Sequence, residues 1–598
     1  MWLIVSESAI YLKAAEDFCD NPGQLDSYES TGHCVILAGP GSGKTKTLTV
    51  KLARMLAEDV HEPRGIACIT YNNECARELE TRLGALGVQP GPRVFIGTVH
   101  SFSLTQIVIP YGKPAGLDLP DNFKVASVRQ QRVAMEQAYA RVINGPEDPQ
   151  RWRLPLDRYR RSILDRESDE WREQDPTLAN LVEAYESELR RNGLIDFDDM
   201  PLLALRALIN HKWVRKAVLA KYPILAVDEY QDLGHALHCM VLGLCFRTGI
   251  RLFAVGDADQ SIYGFTGANP ELLRRLSERQ DVQTIKLPFN YRCGSQIVAA
   301  SEYALGEDRG YQAPNGAAEG MIYFHPLTGS HGIQATRLFT EILPDVMNRI
   351  PDLTLGEIAV LYQSANIGNN VADAAEASGI EYVRADNNAL YPRYSRVMRW
   401  LELCAIWSCG GWRNGEPRLS RIIAEAMRVF ADLLVSDDEK TLFQRSLVQF
   451  LWDHRNADEK LFDWIRHINT AILDGFFANS IQLADEADIL NAFIEKLEPG
   501  GSIADMTLGQ FSGQGQGADQ ITLSTLHSSK GREFRVVFLF GMDQGVIPWN
   551  NVGSVALRES RRLFYVGFTR AEEELHIMYT NHRPSQFVKE VAERMGVT

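Results

Sequence analysis

The chain has 598 residues, of which 45% are hydrophobic and 23% are charged, and its formal net charge is −15. This composition is typical of a globular protein of several domains, and no run approaches the ~18 apolar residues of a membrane span. The acidic balance does not by itself indicate a nucleic-acid-binding protein, although a basic groove can lie in an acidic body. The 9 cysteines form no CxxC pair, which favours reduced thiols over disulfides or a zinc site. Because the N terminus is a poor signal peptide, we expect a cytoplasmic protein with no membrane partner.

A phosphate-binding loop is predicted near the N terminus. Residues 34–37 predict a buried strand, a glycine-rich turn follows, and residues 44–56 predict a helix. Glycines let the backbone N–H groups of such a turn point at an anion, and the helix adds the positive end of its dipole. We therefore expect Lys44 to reach the β- and γ-phosphates of a nucleotide and Thr45 to bind Mg²⁺. The nucleotide-binding loop comprises Gly39, Pro40, Gly41, Ser42, Gly43, Lys44 and Thr45, and it is preceded by Ala38 where the usual pattern has glycine.

Several residues near this loop have two interpretations. Gln24 lies about one helix ahead of it and could read adenine, because an amide offers a donor and an acceptor, or it could be a solvated turn residue. Residues 66–70 and 94–97 predict strands that alternate with helices, which indicates a parallel sheet with ligand loops at its carboxyl edge. Tyr71, His100 and Phe102 follow these strands, where an aromatic side chain could stack on a base or simply cap the core.

Residues 105–195 have a different character, because strand signals vanish and charged helical stretches dominate. We expect a helical insertion in the sheet domain. Its arginines, among them the run at 158–161, could follow a phosphate backbone, although such a run is usually a solvated face. The acidic segment 196–199 has no accompanying His or Cys, so we expect a structural turn rather than a metal site.

A second half of a phosphoryl-transfer site is predicted after the insertion. The apolar run 222–227 predicts a strand that ends in Asp228 and Glu229. Asp228 would hold Mg²⁺ through water, and Glu229 would activate the attacking water.

The next predicted strand, at 252–255, leads into a more specific pattern, Gly-Asp-Ala-Asp-Gln-Ser-Ile-Tyr-Gly-Phe-Thr-Gly-Ala at 256–268. Together with the segment 228–232, it resembles the UvrD/Rep/PcrA family of superfamily 1 helicases. Further resemblance to motifs of that family runs along the chain at residues 38–45, 70–73, 97–102, 196–199, 287–292, 521–534 and 561–571.

The resemblance implies a binding site for ATP with Mg²⁺. Gln24 would read adenine, Tyr291 would stack on it, and Glu533 would contact the ribose. Asp228 and Thr45 would hold the metal.

The resemblance also implies how hydrolysis would be completed. Gln260 would sense the γ-phosphate, Arg292 would contact it, and Arg570 would act as an arginine finger brought from a second lobe. The expected catalytic residues are Lys44, Asp228, Glu229, Gln260, Arg292 and Arg570.

A path for single-stranded DNA is implied in the same way. The expected contacts are Tyr71, Asn72, His100, Phe102, Phe197, Tyr263, Phe265 and His527. Thr266 and Gln363 stand where the family usually has Arg, and Glu74 stands where it usually has Lys. We therefore expect weaker binding of the phosphates of DNA. Residues 233–234 are Leu-Gly where Thr-Asn is usual.

The expected fold class is α/β, with two RecA-like P-loop lobes built on parallel sheets and a mainly helical insertion in each. Second-sheet strands are predicted at 321–324, 358–362, 521–523, 536–540 and 574–579. The tryptophans between 391 and 504 are expected to be core anchors. The predicted boundaries are 1–104 and 196–280 for the first lobe, 105–195 for its insertion, 281–390 and 505–598 for the second lobe, and 391–504 for its insertion.

The resemblance implies an ATP-dependent helicase or translocase that moves 3′ to 5′ on single-stranded DNA and unwinds tailed duplex DNA. One alternative is an ATPase motor or switch subunit beside a nuclease, in DNA repair or antiviral defence, with weak unwinding alone. Another is a non-catalytic, nucleotide-gated DNA-binding module. Besides DNA, a nuclease or a repair or defence protein is a candidate partner, and such a partner could also supply the missing positive charge.

Overall fold

The computed structural model describes residues 8–597, except for 72, 89–90, 92, 121–122, 127, 165, 167, 265–266, 387–388, 393–394, 416, 432, 481–482, 502 and 513–519.

The strands are, in chain order, β1 (Cys34–Ala38), β2 (Ile66–Thr70), β3 (Val94–Thr98), β4 (Lys124–Val125), β5 (Leu194–Ile195), β6 (Ile224–Val227), β7 (Arg251–Gly256), β8 (Gln283–Leu287), β9 (Met321–Leu327), β10 (Ile358–Tyr362), β11 (Tyr382–Arg384), β12 (Ile521–Thr525), β13 (Phe534–Leu539) and β14 (Ala571–Thr580).

The α-helices are α1 (Ser8–Glu16), α2 (Pro22–Glu29), α3 (Lys44–Arg54), α4 (Asn73–Ala85), α5 (Val99–Phe102), α6 (Ile109–Tyr111), α7 (Val128–Val142), α8 (Arg153–Ser162), α9 (Asp169–Glu173), α10 (Pro176–Arg191), α11 (Asp199–Asn210), α12 (Lys212–Lys221), α13 (His235–Cys245), α14 (Glu271–Ser277), α15 (Ser295–Leu305), α16 (His331–Arg337), α17 (Leu343–Arg349), α18 (Ala365–Ala377), α19 (Arg396–Ile406), α20 (Trp412–Asn414), α21 (Leu419–Val429), α22 (Asp437–Asp453), α23 (Leu461–Ile468), α24 (Asp474–Asn479), α25 (Ala484–Leu497), α26 (Leu508–Ser512), α27 (Ser554–Phe568) and α28 (Gln586–Arg594).

The first sheet has six strands in the order β3-β2-β6-β7-β1-β8, and all neighbours are parallel. Its central strands are continuous apolar runs, and every residue of β2 and β6 is buried. A parallel strand covered on both faces requires such a run, which is why the sequence predicted it. Since β6, β7 and β1 are consecutive in the sheet, the residues that follow their carboxyl ends lie side by side.

The second sheet also has six parallel strands, in the order β11-β12-β10-β13-β14-β9. The structure confirms a strand at each of the five places predicted for this sheet. The sixth, β11, escaped prediction because it has only three residues, of which Val383 alone is buried. The expected α/β class with two parallel sheets is therefore confirmed.

The first sheet extends beyond the predicted lobe boundary at residue 281. Strand β8 pairs with β1, with Cys34 opposite Gln283 and Ala38 opposite Leu287. The pattern did not reveal this, because three of the five residues of β8 are exposed at the edge of the sheet.

The first insertion is stabilised by a buried network of charges, which corrects the expectation for the run at 158–161. Arg160 neither follows a phosphate backbone nor lies on a solvated face, because its side chain is completely buried. It donates to Asp196 Oδ2 at 2.7 Å, to Asp199 Oδ1 at 3.0 Å and to Glu186 Oε1 at 3.0 Å. The predicted turn at 196–199 is thus a structural element, since its carboxylates pair with arginines.

The second insertion has a core of helices α19 to α26 in which aromatic side chains dominate. Trp400 and Trp464 are fully buried and Trp407 is 7% exposed, as expected of core anchors. Trp452 differs, because it is 50% exposed and stacks with the guanidinium group of Arg455. Within the described ranges, no helix is long and apolar enough to cross a membrane.

Candidate functional site

The loop between β1 and α3 has the shape of an anion cradle. Gly41 and Gly43 have φ angles of +65° and +81°, which only glycine adopts readily, and Gly43 is the N-cap residue that precedes helix α3. Lys44 Nζ donates to the carbonyl oxygens of Ala38 at 3.2 Å and Gly39 at 3.1 Å. Lys44 is the first residue of α3, and it lies folded over its own loop, 4.0 Å from the carboxylate of Asp257. Thr45 follows it in the first turn of α3 and is half-buried.

Two carboxylates follow strand β6, which is separated from β1 by β7 in the first sheet. Asp228 is 3% exposed, and burial together with the charge of Glu229 raises its pKa to about 7. Glu229 has a positive φ of 51°, unusual for a residue with a side chain, which turns the chain sharply after β6. Burial would raise the pKa of Glu229, but Lys530 and Lys44 outweigh it and lower that pKa. The first carboxylate thus lacks sufficient positive charge nearby, whereas the second is ionised.

A chain of side-chain contacts joins the loop to the second lobe. Gln260 Nε2 donates to Asp257 Oδ2 at 2.6 Å, on the side that faces Lys44. Arg570 Nη2 donates to Gln260 Oε1 at 3.3 Å, and its other nitrogens donate to the backbone oxygens of Val566 and Arg532. Arg570 lies two residues after the end of helix α27 and is 1% exposed. The predicted finger therefore lies two side chains away from the loop lysine.

Arg292 lies on the same side of the loop. The N–H of Tyr291 donates to the carbonyl of Gly41 at 2.8 Å, and a Cβ on Gly41 would lie 2.7 Å from Cβ of Arg292. Burial, with the charge of Arg292 added, lowers the pKa of Arg570 to about 9. Because burial and the charge of Arg292 both oppose the charge of Arg570, an anion bound at this glycine loop would stabilise the Arg570 guanidinium group.

The residues expected around the base contact the loop directly or through a neighbouring residue. Gln24 is 4% exposed and donates to the carbonyl of Ser42 at 3.2 Å, so it is not a solvated turn residue. Asn21 Nδ2 donates to the hydroxyl of Tyr291 at 2.9 Å, and the Tyr291 ring remains 50% exposed. Glu533 accepts from Arg292 Nε at 2.7 Å.

Lys530 lies in the segment 521–534, which resembles a family motif, but the sequence assigned no role to this lysine. It comes from the segment after β12 of the second sheet, yet its ammonium group lies 2.5 Å from Asp232 and 3.5 Å from Glu229 of the first lobe. It also donates to the backbone oxygen of Gln260 at 2.9 Å. Burial would lower the pKa of Lys530, but these carboxylates outweigh it and raise that pKa. Lys530 is therefore a charged contact between the two lobes.

Tyr311 is a second residue that sequence analysis missed. A Cβ on Gly39 would lie 2.5 Å from its ring, so the tyrosine covers the start of the phosphate-binding loop. Burial, reinforced by the charges of Asp257 and Asp259, raises the pKa of Tyr311. The sequence offered no signal for it, because it lies in an irregular segment between α15 and β9.

A cavity of about 1920 Å³ opens below this site, between the two lobes and their insertions. Four expected DNA contacts line it in two ring pairs. Tyr71 stacks on Tyr263 with ring centres 5.3 Å apart, and His100 meets Phe197 at 4.8 Å. His527 also lines the cavity. Phe197 is 40% exposed, so its ring is accessible from the cavity.

The expectation that Phe102 contacts DNA is wrong, and the alternative of a core residue is the one observed. Its side chain is fully buried, with its ring centre 5.3 Å from that of Phe95 and 6.3 Å from that of Tyr222, so it caps the core under the first sheet. Asn72 and Phe265, also expected to contact DNA, lie outside the described residues, as does Thr266.

The cavity has mixed rather than basic walls. Its lining includes eight arginine and lysine residues and eight aspartate and glutamate residues. Some of these charges already form pairs: Arg161 donates to Asp198 at 3.0 Å, and Arg153 donates to Asp157 at 3.0 Å. The part of the wall formed by α8 is thus largely neutralised within the chain.

A glycine loop after one strand of a parallel sheet, two acidic residues after another strand of that sheet and an arginine that adjoins a second parallel sheet define a two-lobe, RecA-like P-loop protein. Residues 20–281 match the family model described as the UvrD/REP helicase N-terminal domain. Residues 447–582 match the model described as the UvrD-like helicase C-terminal domain. The chain belongs to the UvrD/Rep family of helicases.

Named relatives align over nearly the whole chain. The ATP-dependent DNA helicase Rep of Escherichia coli (strain K12) is 26% identical in an alignment that covers 96% of this chain and 94% of Rep. The ATP-dependent DNA helicase PcrA of Leuconostoc citreum is 26% identical, over 96% of this chain and 85% of PcrA. The PcrA of Staphylococcus aureus (strain MRSA252) is 23% identical, over 96% and 86% respectively.

Proposed function

We propose that the protein is an ATP-dependent DNA helicase that moves 3′ to 5′ on single-stranded DNA and couples Mg-ATP hydrolysis between its lobes to strand movement. The observation that carries this proposal is the contact of Arg570 with Gln260, which itself bonds to Asp257 beside Lys44. A cation of one lobe is thereby within reach of the phosphate loop of the other. The names of the relatives and the family support the same activity.

The residues present fit a magnesium nucleotide. Asp228 is a buried carboxylate whose raised pKa shows that it lacks a full positive partner, and a divalent cation would supply one. The hydroxyl of Thr45 and the carboxylate of Asp228 are the oxygen donors that Mg²⁺ prefers. Bound Mg-ATP would supply the phosphoryl group and neutralise part of its charge.

The protein groups would then perform distinct tasks. Lys44 would leave the carbonyls of its own loop and bind the terminal phosphates. Glu229, kept ionised by Lys530 and Lys44, would accept the proton of the attacking water. Arg570 and Arg292 would offset the charge that develops during transfer, because their own mutual repulsion is relieved by an anion.

The same residues would connect hydrolysis to DNA. Gln260 bonds to Asp257 and Arg570 at the nucleotide side, and its backbone oxygen accepts from Lys530. Three residues later, Tyr263 stacks on Tyr71 in the wall of the cavity. A shift of Gln260 on hydrolysis would thus reach the rings proposed to stack on bases.

Strand displacement tests the proposal. We expect ATP-dependent unwinding of a duplex with a 3′ single-stranded tail and little unwinding with a 5′ tail, and we expect no unwinding by Lys44→Ala. Lys46→Ala is the matched control, since Lys46 lies in the same helix but pairs with Asp17 at the surface. Equal activity on both tails, or unwinding that survives Lys44→Ala, would contradict the proposal.

The charge balance of the cavity favours a second candidate, an ATPase motor or switch beside a nuclease or repair protein with weak unwinding alone. A wall with as many acidic as basic residues would hold phosphates loosely. This candidate predicts strong stimulation of ATP hydrolysis by single-stranded DNA but little strand displacement at physiological salt. Comparing the two rates on one 3′-tailed substrate separates the candidates.

A further inference from the structure

Two histidines and a glutamate converge in the second insertion, away from the nucleotide cleft. His454 directly follows helix α22, Glu459 lies in the connection to helix α23, and His467 lies in the last turn of α23. Nothing in the proposed motor mechanism uses them.

Their ligand atoms have the spacing of a metal site. His454 Nδ1 lies 3.0 Å from Glu459 Oε1, His467 Nδ1 lies 3.8 Å from that same oxygen, and all three lie within 4.8 Å of one another. A tetrahedral ion with metal–ligand distances of about 2.0–2.2 Å separates its ligands by roughly 3.4 Å. The distances of the two histidine nitrogens from Glu459 Oε1 bracket that value, so small side-chain rotations would complete the site.

Hydrogen bonding explains only part of this arrangement. His454 and Glu459 are within hydrogen-bond distance, but His467 is not, because 3.8 Å exceeds the usual range. The two imidazole rings nevertheless face the same carboxylate, with ring centres 5.2 Å apart. A shared cation accounts for both rings, since each neutral imidazole then contributes a lone pair.

The backbone holds two of the three residues in place. The N–H of Glu459 donates to Asn456, and its carbonyl accepts from Leu508 at 2.9 Å. The His454 N–H donates to Phe450 at 3.1 Å, and the two rings are stacked with centres 4.4 Å apart. His467 is 58% exposed and leaves one side of the cluster open to water.

We propose that His454, Glu459 and His467 bind Zn²⁺ or a similar divalent transition-metal ion, with the remaining coordination position open to solvent. Two imidazoles and one carboxylate suit zinc and its neighbours, whereas Mg²⁺ and Ca²⁺ prefer sites made of oxygen. Bound metal would join the end of α22 to the end of α23 and stabilise the insertion. The proposal does not depend on the helicase activity.

Metal titration of the full-length protein tests it. After removal of metals with a chelator, Co²⁺ should give the visible absorption of a nitrogen- and oxygen-bound ion, and calorimetry should detect Zn²⁺ binding. His467→Ala and Glu459→Gln should each weaken this binding more than about tenfold. His582→Ala, which removes an exposed histidine elsewhere, should bind like the unaltered protein.

Thermal unfolding provides the second measurement. Zn²⁺ should raise the unfolding midpoint of the unaltered protein and of His582→Ala, but not that of His467→Ala. Circular dichroism without metal verifies that the variants are folded. Equal Zn²⁺ stoichiometry and affinity in the unaltered protein and in both cluster variants would overturn the proposal.

Discussion

Lys530 of the second lobe lies 2.5 Å from Asp232 of the first, and both side chains are almost completely buried. The second oxygen of Asp232 has no hydrogen-bond partner, so the carboxylate depends on this one cation for its charge. Glu229 lies 3.5 Å from the same ammonium group. The position of the proposed general base is thus tied to the contact between the lobes.

Removing this cation should weaken the closed arrangement. Lys530→Met would leave Asp232 buried without a partner, a cost of about 3–5 kcal/mol that the lobes avoid by opening. We expect a higher KM for ATP and a smaller stimulation of hydrolysis by single-stranded DNA, measured by phosphate release. Lys530→Arg keeps the positive charge and should therefore change the KM and the stimulation less than Lys530→Met does. Lys46→Met should change neither. A Lys530→Met protein with unaltered KM and stimulation would show that the contact plays no part in closure.

Lys44→Ala should abolish hydrolysis, because Lys44 is the lysine of the loop itself and its ammonium group lies against the carbonyl oxygens of Ala38 and Gly39. Phosphate release with saturating DNA is the measurement, and nucleotide binding measured by a fluorescent analogue shows whether the loop still folds. A variant that keeps most of its turnover would refute the assignment of the site.

Arg570→Ala should separate binding from turnover. The guanidinium group reaches Gln260 but not the loop itself, so ATP should bind nearly as before. Turnover should fall by about 10³–10⁵, the range seen when such an arginine is lost from phosphoryl-transfer enzymes. Equilibrium binding and single-turnover hydrolysis check the two halves of this prediction. Equal losses in both would argue for a structural role of this buried residue.

Acid should impair the protein through Asp228. With its pKa raised to about 7, this carboxylate becomes protonated as the pH falls below neutrality, and a protonated carboxyl is a poor ligand for Mg²⁺. Apparent Mg²⁺ affinity should therefore fall about tenfold for each pH unit below 7. At high Mg²⁺ the acid limb of the ATPase profile should move to lower pH. A limb that stays in place at every Mg²⁺ concentration would exclude this assignment.

Binding of single-stranded DNA should depend weakly on salt. Each phosphate neutralised adds about −0.7 to the slope of log K against log salt, and much of the charge on α8 is already paired. Asp198→Asn would remove the negative charge that pairs with Arg161, so we expect tighter binding and a slope steeper by about 0.7 unit. Fluorescence anisotropy of a labelled oligodeoxythymidylate across a salt series measures both, with Asp17→Asn as the surface control. Unchanged affinity and slope would mean that this part of the wall does not meet phosphates.

Much of the nucleotide site follows from sequence because its parts are local. Strands β1 and β6 are continuous apolar runs. Lys44 follows β1 after the glycine loop and Asp228 follows β6 directly, so both must appear at the carboxyl edge of one sheet. Buried parallel strands permit no other pattern, so the fold class and the positions of these side chains could be predicted together.

The sequence could not decide the roles of side chains whose burial depends on residues distant in the chain. Phe102 and Phe197 are both aromatic residues in motif segments, yet the first is fully buried and the second is 40% exposed. Arg160 is basic like Arg161, yet it lies inside an insertion core because Asp196 and Asp199 accept its charge there.

The sequence by itself determined the α/β class, the phosphate loop and the acidic pair, because hydrophobic pattern and loop chemistry act over a few residues. Only the tertiary structure decided that Lys530 crosses between lobes, that the cavity wall is balanced in charge and that His454, Glu459 and His467 meet. Such contacts join residues distant in sequence, and burial and distance, which no linear pattern encodes, determine their charge and chemistry.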